Sequence, residues 1–145
     1  MTRTPVSRKS MHLLVARAKK AATKSYAPYS HVNVGAAILL KDGSVFSGSN
    51  VENASYGLTN CAERSAIFVG LSAHGPDHFR VIAVAIAGKG TNEFAPCGAC
   101  RQVLSEFADH TIVIYQHGRT LKRTSLKDLL PQSFNLRARV TADKS

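Results

Sequence analysis

Two short stretches, Cys61-Ala62-Glu63 and Pro96-Cys97-Gly98-Ala99-Cys100, hold every cysteine in the chain. If they serve one purpose, the fold must bring distant parts of the sequence to a single point. Three thiolates are soft ligands suited to zinc, one short of the four that close a structural site. The fourth position is then left for water, which ionises at a pH of about 7 in catalytic zinc sites. Glu63 follows Cys61 closely enough to move a proton between such a water and a substrate.

Local patterning agrees. Cys61 and Cys97 both fall at predicted helix N-termini, whose positive ends stabilise a thiolate. Cys97 and Cys100 stand at i and i+3, on one helical face. Each feature taken singly has a plainer explanation. Cys97, Cys100, Val103, Leu104 and Phe107 form one apolar stripe, and a free cysteine is often a small core residue. A Cys-x-x-Cys pair also occurs in redox motifs. Asn60 with Glu63 three residues on has the form of a capping box. Two helix starts, three cysteines and a carboxylate together exceed what packing needs, and they point to catalytic zinc.

Around these stretches the elements read in order. Ser7 or Ser10 caps a first helix with the stripe Met11, Leu14, Val15, Ala18 and Ala22, which ends before Pro28. Val32, Val34, Ala36, Ile38 and Leu40 alternate as a strand does, and Lys41-Asp42-Gly43-Ser44 turns into a returning strand from Val45 to about Val51. The helix from Cys61 to about Ser72, capped by Asn60, is small or apolar almost all round and is expected to be central. Phe79–Ala87 is a near-continuous apolar run, the mark of a strand covered on both faces. A helix after Pro96, a strand over Thr111–Tyr115, a polar strand over Thr120–Thr124 and a short helix from Ser125 to Pro131 complete the order. This predicts an α/β fold, a three-layer α/β/α sandwich around one mixed sheet of about five strands.

The 145 residues suit one domain with a real core, taken as 7–135 between a loose tail at 1–6 and a basic tail at 136–145. No apolar run is long enough to cross a membrane, and the N-terminus lacks a secretory pattern. An odd count of three cysteines argues against a disulfide framework and for reduced thiols in the cytoplasm. The formal charge of +10 is uneven: residues 1–24 carry Arg3, Arg8, Lys9, Arg17, Lys19, Lys20 and Lys24 and no acid. Such a balance attracts polyanions, or simply solvates a surface. An acid-free, arginine-bearing start is also a property of organelle transit peptides.

At the level of motifs the chain resembles the cytidine deaminases of the small, three-cysteine type over about residues 10–135. The resemblance is carried by Tyr29-Ser30 with Val34-Gly35-Ala36-Ala37, by Asn50-Val51-Glu52-Asn53-Ala54-Ser55-Tyr56-Gly57, and by Cys61-Ala62-Glu63-Arg64-Ser65-Ala66. Pro96-Cys97-Gly98-Ala99-Cys100-Arg101-Gln102-Val103-Leu104 and Leu129-Leu130-Pro131 with Phe134 complete it. It implies one zinc ion per subunit on Cys61, Cys97 and Cys100, and Glu63 as the proton shuttle. Arg64 is implied as a donor to the cysteine sulfurs, drawing charge from an otherwise anionic site. Asn50 and Glu52 match ribose contacts, and Ala62 matches a backbone contact to the base. Ala54, Tyr56 and Phe134 match residues that build sites across subunits, which implies a homotetramer. Val32 stands where the family usually has an aromatic residue against the pyrimidine. The loss weakens stacking by roughly 1 kcal/mol if nothing replaces it.

The implied reaction is zinc-dependent hydrolysis of cytidine and 2′-deoxycytidine to the uridine forms, in pyrimidine salvage. The expected partner is a small pyrimidine nucleoside, with neither a membrane nor a nucleic acid expected. Deamination of a modified cytosine nucleoside or a blasticidin-S-type antibiotic stays open, as does nucleic-acid editing, and a non-catalytic zinc protein is the bland alternative.

Overall fold

In a computed structural model, which describes residues 6–136, the first helix α1 spans Arg8–Ala22. Ser7 is its N-cap, and the Ser7 hydroxyl accepts a hydrogen bond from the Ser10 amide. Val6, expected in a loose tail, is buried in the same apolar cluster as Met11. A residue just before the N-cap packed with one in the first turn is a hydrophobic staple, which fixes how the chain enters the helix. Residues 1–5 of the expected tail, and 137–145 of the basic C-terminal tail, lie outside the described residues.

Strands β1 (Val34–Leu40) and β2 (Val45–Ser49) form the expected hairpin, turning at Gly43 with φ 92°. A short 3-10 turn (Tyr56–Leu58) leads to α2 (Ala62–His74). Next come β3 (Val81–Gly88), α3 (Gly98–Glu106), β4 (Ala108–His117), β5 (Thr120–Ser125) and α4 (Leu126–Leu129). The sheet order is β2-β1-β3-β4-β5, with β3–β4 parallel and the other pairs antiparallel.

The period of two along the strands sorts the core into two layers. Ala36, Ile38, Leu40, Val84, Ile86 and Val113 face Ala66 and Ile67 of α2, Leu104 of α3 and Leu126 of α4. Ala37, Ala83, Ala85, Ala87 and Ile114 face Leu14, Val15 and Ala18 of α1. The face toward α1 is floored largely by alanine, so that helix lies close. A Cβ on Gly35 would come within 1.8 Å of the Ala18 carbonyl oxygen. Gly48, on β2, does the same for the other layer: a Cβ there would lie 2.5 Å from the Ala66 amide nitrogen. These two glycines set the sandwich thickness next to the two central helices.

Two burial patterns go beyond what the sequence shows. Strand β1 is buried on both faces, because α1 covers Gly35 and Ala37 as α2 covers the alternate set. Helix α2 is not enclosed all round: Phe68 and Val69 are 50% and 53% exposed. Its apolar circumference has a core face and an open face.

At the far end of α2, His74 ties the helix to the β1–β2 turn. Its Nε2 lies 2.8 Å from the Asp42 carboxylate and its Nδ1 lies 3.0 Å from the Gly75 carbonyl oxygen. Both partners are acceptors, so both ring nitrogens must carry protons, and the folded form favours the imidazolium. Asp42, then the Gly75 carbonyl, raise the His74 pKa above 6.5. The Ser44 amide, then His74, lower that of Asp42 from 3.8 to about 2. The histidine contribution to stability is therefore complete below pH 6.5 and is lost as pH rises through the raised folded value. The Asp42 contribution is present above its unfolded value of 3.8 and is lost as pH falls toward about 2. Melting temperature should thus decline as pH rises above 6.5, and Asp42→Asn should flatten that decline. An unchanged slope in the variant would remove this pair as its source.

Candidate metal centre

Topology explains why the two cysteine stretches meet. Strands β2 and β3 each run antiparallel to β1, so they run parallel to each other. Helices α2 and α3 follow them in sequence, on the same face, and so begin at the same end of the sheet. Their N-termini lie side by side. Cys61 is the N-cap residue of α2 and Cys97 that of α3, and neither side chain spends itself on capping. Asn60, expected to cap α2, instead donates its side-chain amide to the Ser65 hydroxyl. Glu63 is therefore not part of a capping box. Cys100 lies in the first turn of α3 and is fully buried.

The three Sγ atoms all lie within 4.8 Å of one another, and those of Cys61 and Cys97 are 3.8 Å apart. A disulfide would need about 2.05 Å. Tetrahedral zinc with Zn–S bonds of about 2.3 Å separates its sulfurs by about 3.8 Å. The spacing and the soft all-sulfur donor set both fit zinc.

Electrostatics favour the thiolate form at Cys61. Its pKa falls to about 5, first because the Cys100 thiol donates to it and then because Arg64 does. The Arg64 Nη2 sits 3.3 Å from the Cys61 sulfur. The Cys100 pKa moves up, since it is the donor to Cys61 and is desolvated. A divalent cation among the sulfurs would release that remaining proton. Arg64 Nε is buried and has no hydrogen-bond partner among the described residues, so the contact of this half-buried guanidinium with the cluster is made through Nη2.

Glu63 is 5% exposed beside the sulfurs. Burial, opposed by its own backbone amide, and then the Cys61 charge bring its carboxyl up to about 7. Ala62 next to it is buried.

The remaining expected site residues divide. Asn50 and Glu52 do project to one side, and both hold the loop before β1. The Asn50 side chain accepts from the Val34 amide at 2.9 Å and donates to the Val32 carbonyl at 2.8 Å. Glu52 accepts from the Tyr29 and Ser30 amides and from the Ser30 hydroxyl. Val32 is thereby fixed, 37% exposed. Ala54 and Tyr56 are exposed around the 3-10 turn, and Phe134 is exposed while its carbonyl accepts from Gln102 of α3. Sequence reasoning gave no role to Arg101. Its Nε donates to the Pro96 carbonyl at 2.8 Å and its Nη1 to the Leu129 carbonyl at 2.9 Å, pinning the approach to Cys97 against α4. The only signal was an arginine directly after Cys100.

Comparison with known proteins agrees with this geometry. A family model described as the cytidine and deoxycytidylate deaminase zinc-binding region matches residues 8–116. The chain is 44% identical over 124 residues to a cytidine deaminase of Halalkalibacterium halodurans, covering 84% of this chain and 92% of that one. It is 40% identical over 125 residues to a cytidine deaminase of Mycobacterium tuberculosis, covering 86% and 90%. A crystal structure of cytidine deaminase from Burkholderia pseudomallei superposes with a TM-score of 0.76 at 48% identity, over 85% of this chain and 98% of that one.

Proposed function

The chain belongs to the cytidine and deoxycytidylate deaminase family, and from that premise we propose that it hydrolyses free cytidine and 2′-deoxycytidine to the uridine forms and ammonia. The observation that carries this is the convergence of three sulfurs with a buried carboxylate at two adjoining helix N-termini. Cys61, Cys97 and Cys100 would hold the zinc. Zinc there supplies the Lewis acidity that brings the ionisation of water near neutral pH. Glu63 accepts the proton of that water, delivers it to the ring N3 of the base, and then serves the departing amine. Its burial keeps bulk water from exchanging that proton. Arg64 draws negative charge from the sulfurs, which keeps a three-thiolate site electrophilic.

Asn50 and Glu52 keep loop 29–32 in place and retain lone pairs and one N–H for ribose hydroxyls. A carboxylate at that position repels a 3′-phosphate, which favours a free nucleoside over a polynucleotide. Val32 leaves more room beside the base than an aromatic ring would. Exposed Tyr56, Leu58, Phe68, Val69 and Phe134 support assembly into a homotetramer in which Ala54, Tyr56 and Phe134 complete neighbouring sites. Three free thiols at one centre need reducing surroundings, which supports a cytoplasmic location.

A substrate panel on purified, zinc-analysed protein tests the reading, followed by loss of cytosine absorbance. Cytidine and deoxycytidine should be the best substrates, and 5-substituted cytidines should be tolerated because of Val32. Preferential turnover of blasticidin S or of an RNA oligonucleotide would replace the proposal.

A further inference from the structure

On the other face of the sheet from the cysteines, a cavity of about 300 Å³ lies between α1 and the edge strand β2. It is lined by Arg17, Lys20 and Lys24 of α1, and by Ser47, Gly48 and Ser49 of β2. The three cations stand at i, i+3 and i+7, so they share one helical face. Gly48 backs onto Ala66 of α2. Its neighbours Ser47 and Ser49 alternate with it and so face α1. Neither α1 nor β2 contains an acidic residue. Among the described residues, none of these three cationic side chains and neither serine hydroxyl has a hydrogen bond or ion pair. The outer edge of β2 likewise has no strand partner among the described strands. Five side-chain donors, the three cations solvent-exposed, therefore line one concavity with no acidic side chain among its lining residues.

Lysines in the last turn of a helix complement its dipole, and Lys20 is explained that far. That does not account for Arg17, one turn earlier, or for the unpaired serines opposite. We propose that this cavity binds the phosphate chain of a small anion such as a free nucleotide. One phosphate carries about −1.5 to −2 charges at neutral pH. A single group would leave the three cations undercompensated, whereas a chain of two or three phosphates supplies enough negative charge to offset all three. A concavity of this size, open to solvent on one side, has room for a compact chain but not for several nucleotides of an extended backbone. The site is independent of the deaminase chemistry and shares no residue with it.

Isothermal titration calorimetry of the zinc-loaded protein at low salt tests this, using inorganic tripolyphosphate as the probe because it has no base for the deaminase site to hold. Saturable binding is expected, weakening with added salt. Arg17→Ala with Lys20→Ala should weaken it about tenfold or more, while Lys9→Ala, on the same helix outside the cavity, should change it less than about twofold. Cytidine turnover and zinc content should be unchanged in all three substitutions, which also reports correct folding. A nucleoside triphosphate binding more tightly than tripolyphosphate assigns the ligand as a nucleotide, and equal affinity assigns it as the phosphate chain alone. No saturable binding, equal losses in Lys9→Ala, or tighter binding of a single-stranded RNA oligomer than of tripolyphosphate would each overturn the proposal.

Discussion

Replacing Glu63 with alanine or glutamine should leave a folded, zinc-replete protein that has lost about four orders of magnitude of cytidine turnover. The size follows from what one carboxylate does at this centre. A positioned acid–base group contributes about 10²- to 10⁴-fold to each proton transfer it serves. Glu63 would serve the activation of water, the protonation of the ring and the exit of the amine, so the upper end applies. Nothing else in the cluster can substitute, because the sulfurs would be engaged with the metal and the Arg64 guanidinium does not titrate. The fold should survive. Glu63 is buried and its ionised form is disfavoured there, so removing it takes a desolvation cost out of the folded state. Melting temperature should hold or rise. Turnover measured beside metal analysis and a melting curve makes the test specific. A zinc-replete variant with more than about a hundredth of the original rate would remove Glu63 from the role of proton shuttle.

The chemistry of the site was legible because cysteine is scarce here. Each of the three thiols in the chain has a core or redox reading by itself, and only their joint placement at or beside two helix starts points to a metal. The helices and strands were legible from apolar period, apolar runs, caps and turn residues, with boundaries displaced by a few residues. Contacts that depend on tertiary placement were not. Asn60 looked like a cap, yet Cys61 took that position once α2 had to begin beside α3. Val69, with Ala62, Ala66, Ile67, Gly70 and Leu71, made α2 look enclosed, yet it and Phe68 are half exposed, and nothing in a helical wheel separates a core face from an open one when both are apolar. Gly35 and Gly48 read as ordinary strand residues until two helices were laid against them. Asn50 and Glu52 offered polar groups on one side of the chain. That they also hold a loop some twenty residues upstream required the folded hairpin. Local rules reach what is decided within one element, while convergence, exposure and close approach are decided between elements.

Cys100 provides the sharpest test of metal against packing, because it satisfies both descriptions. It is fully buried on the same helix as Leu104, so a core role alone would explain its burial. It also lies within 4.8 Å of two other thiols, which a core role does not explain. Cys100→Val separates the two. Valine is apolar and of similar size, so the packing changes little, whereas the donor set falls from three sulfurs to two. Altering a mere outer partner of a metal ligand typically costs about 10- to 100-fold in affinity or activity, and loss of a ligand itself should exceed that. The variant is therefore expected to purify with well under one zinc per chain, and its turnover should track the metal it retains. Its melting temperature should match that of the original protein stripped by a chelator, since both lack the stabilisation that a bound ion lends the folded state. If the valine variant instead carried full zinc and normal activity, Cys100 would be a core residue. The centre would then need its third ligand from elsewhere, and among the described residues no other histidine, cysteine or acid joins the cluster.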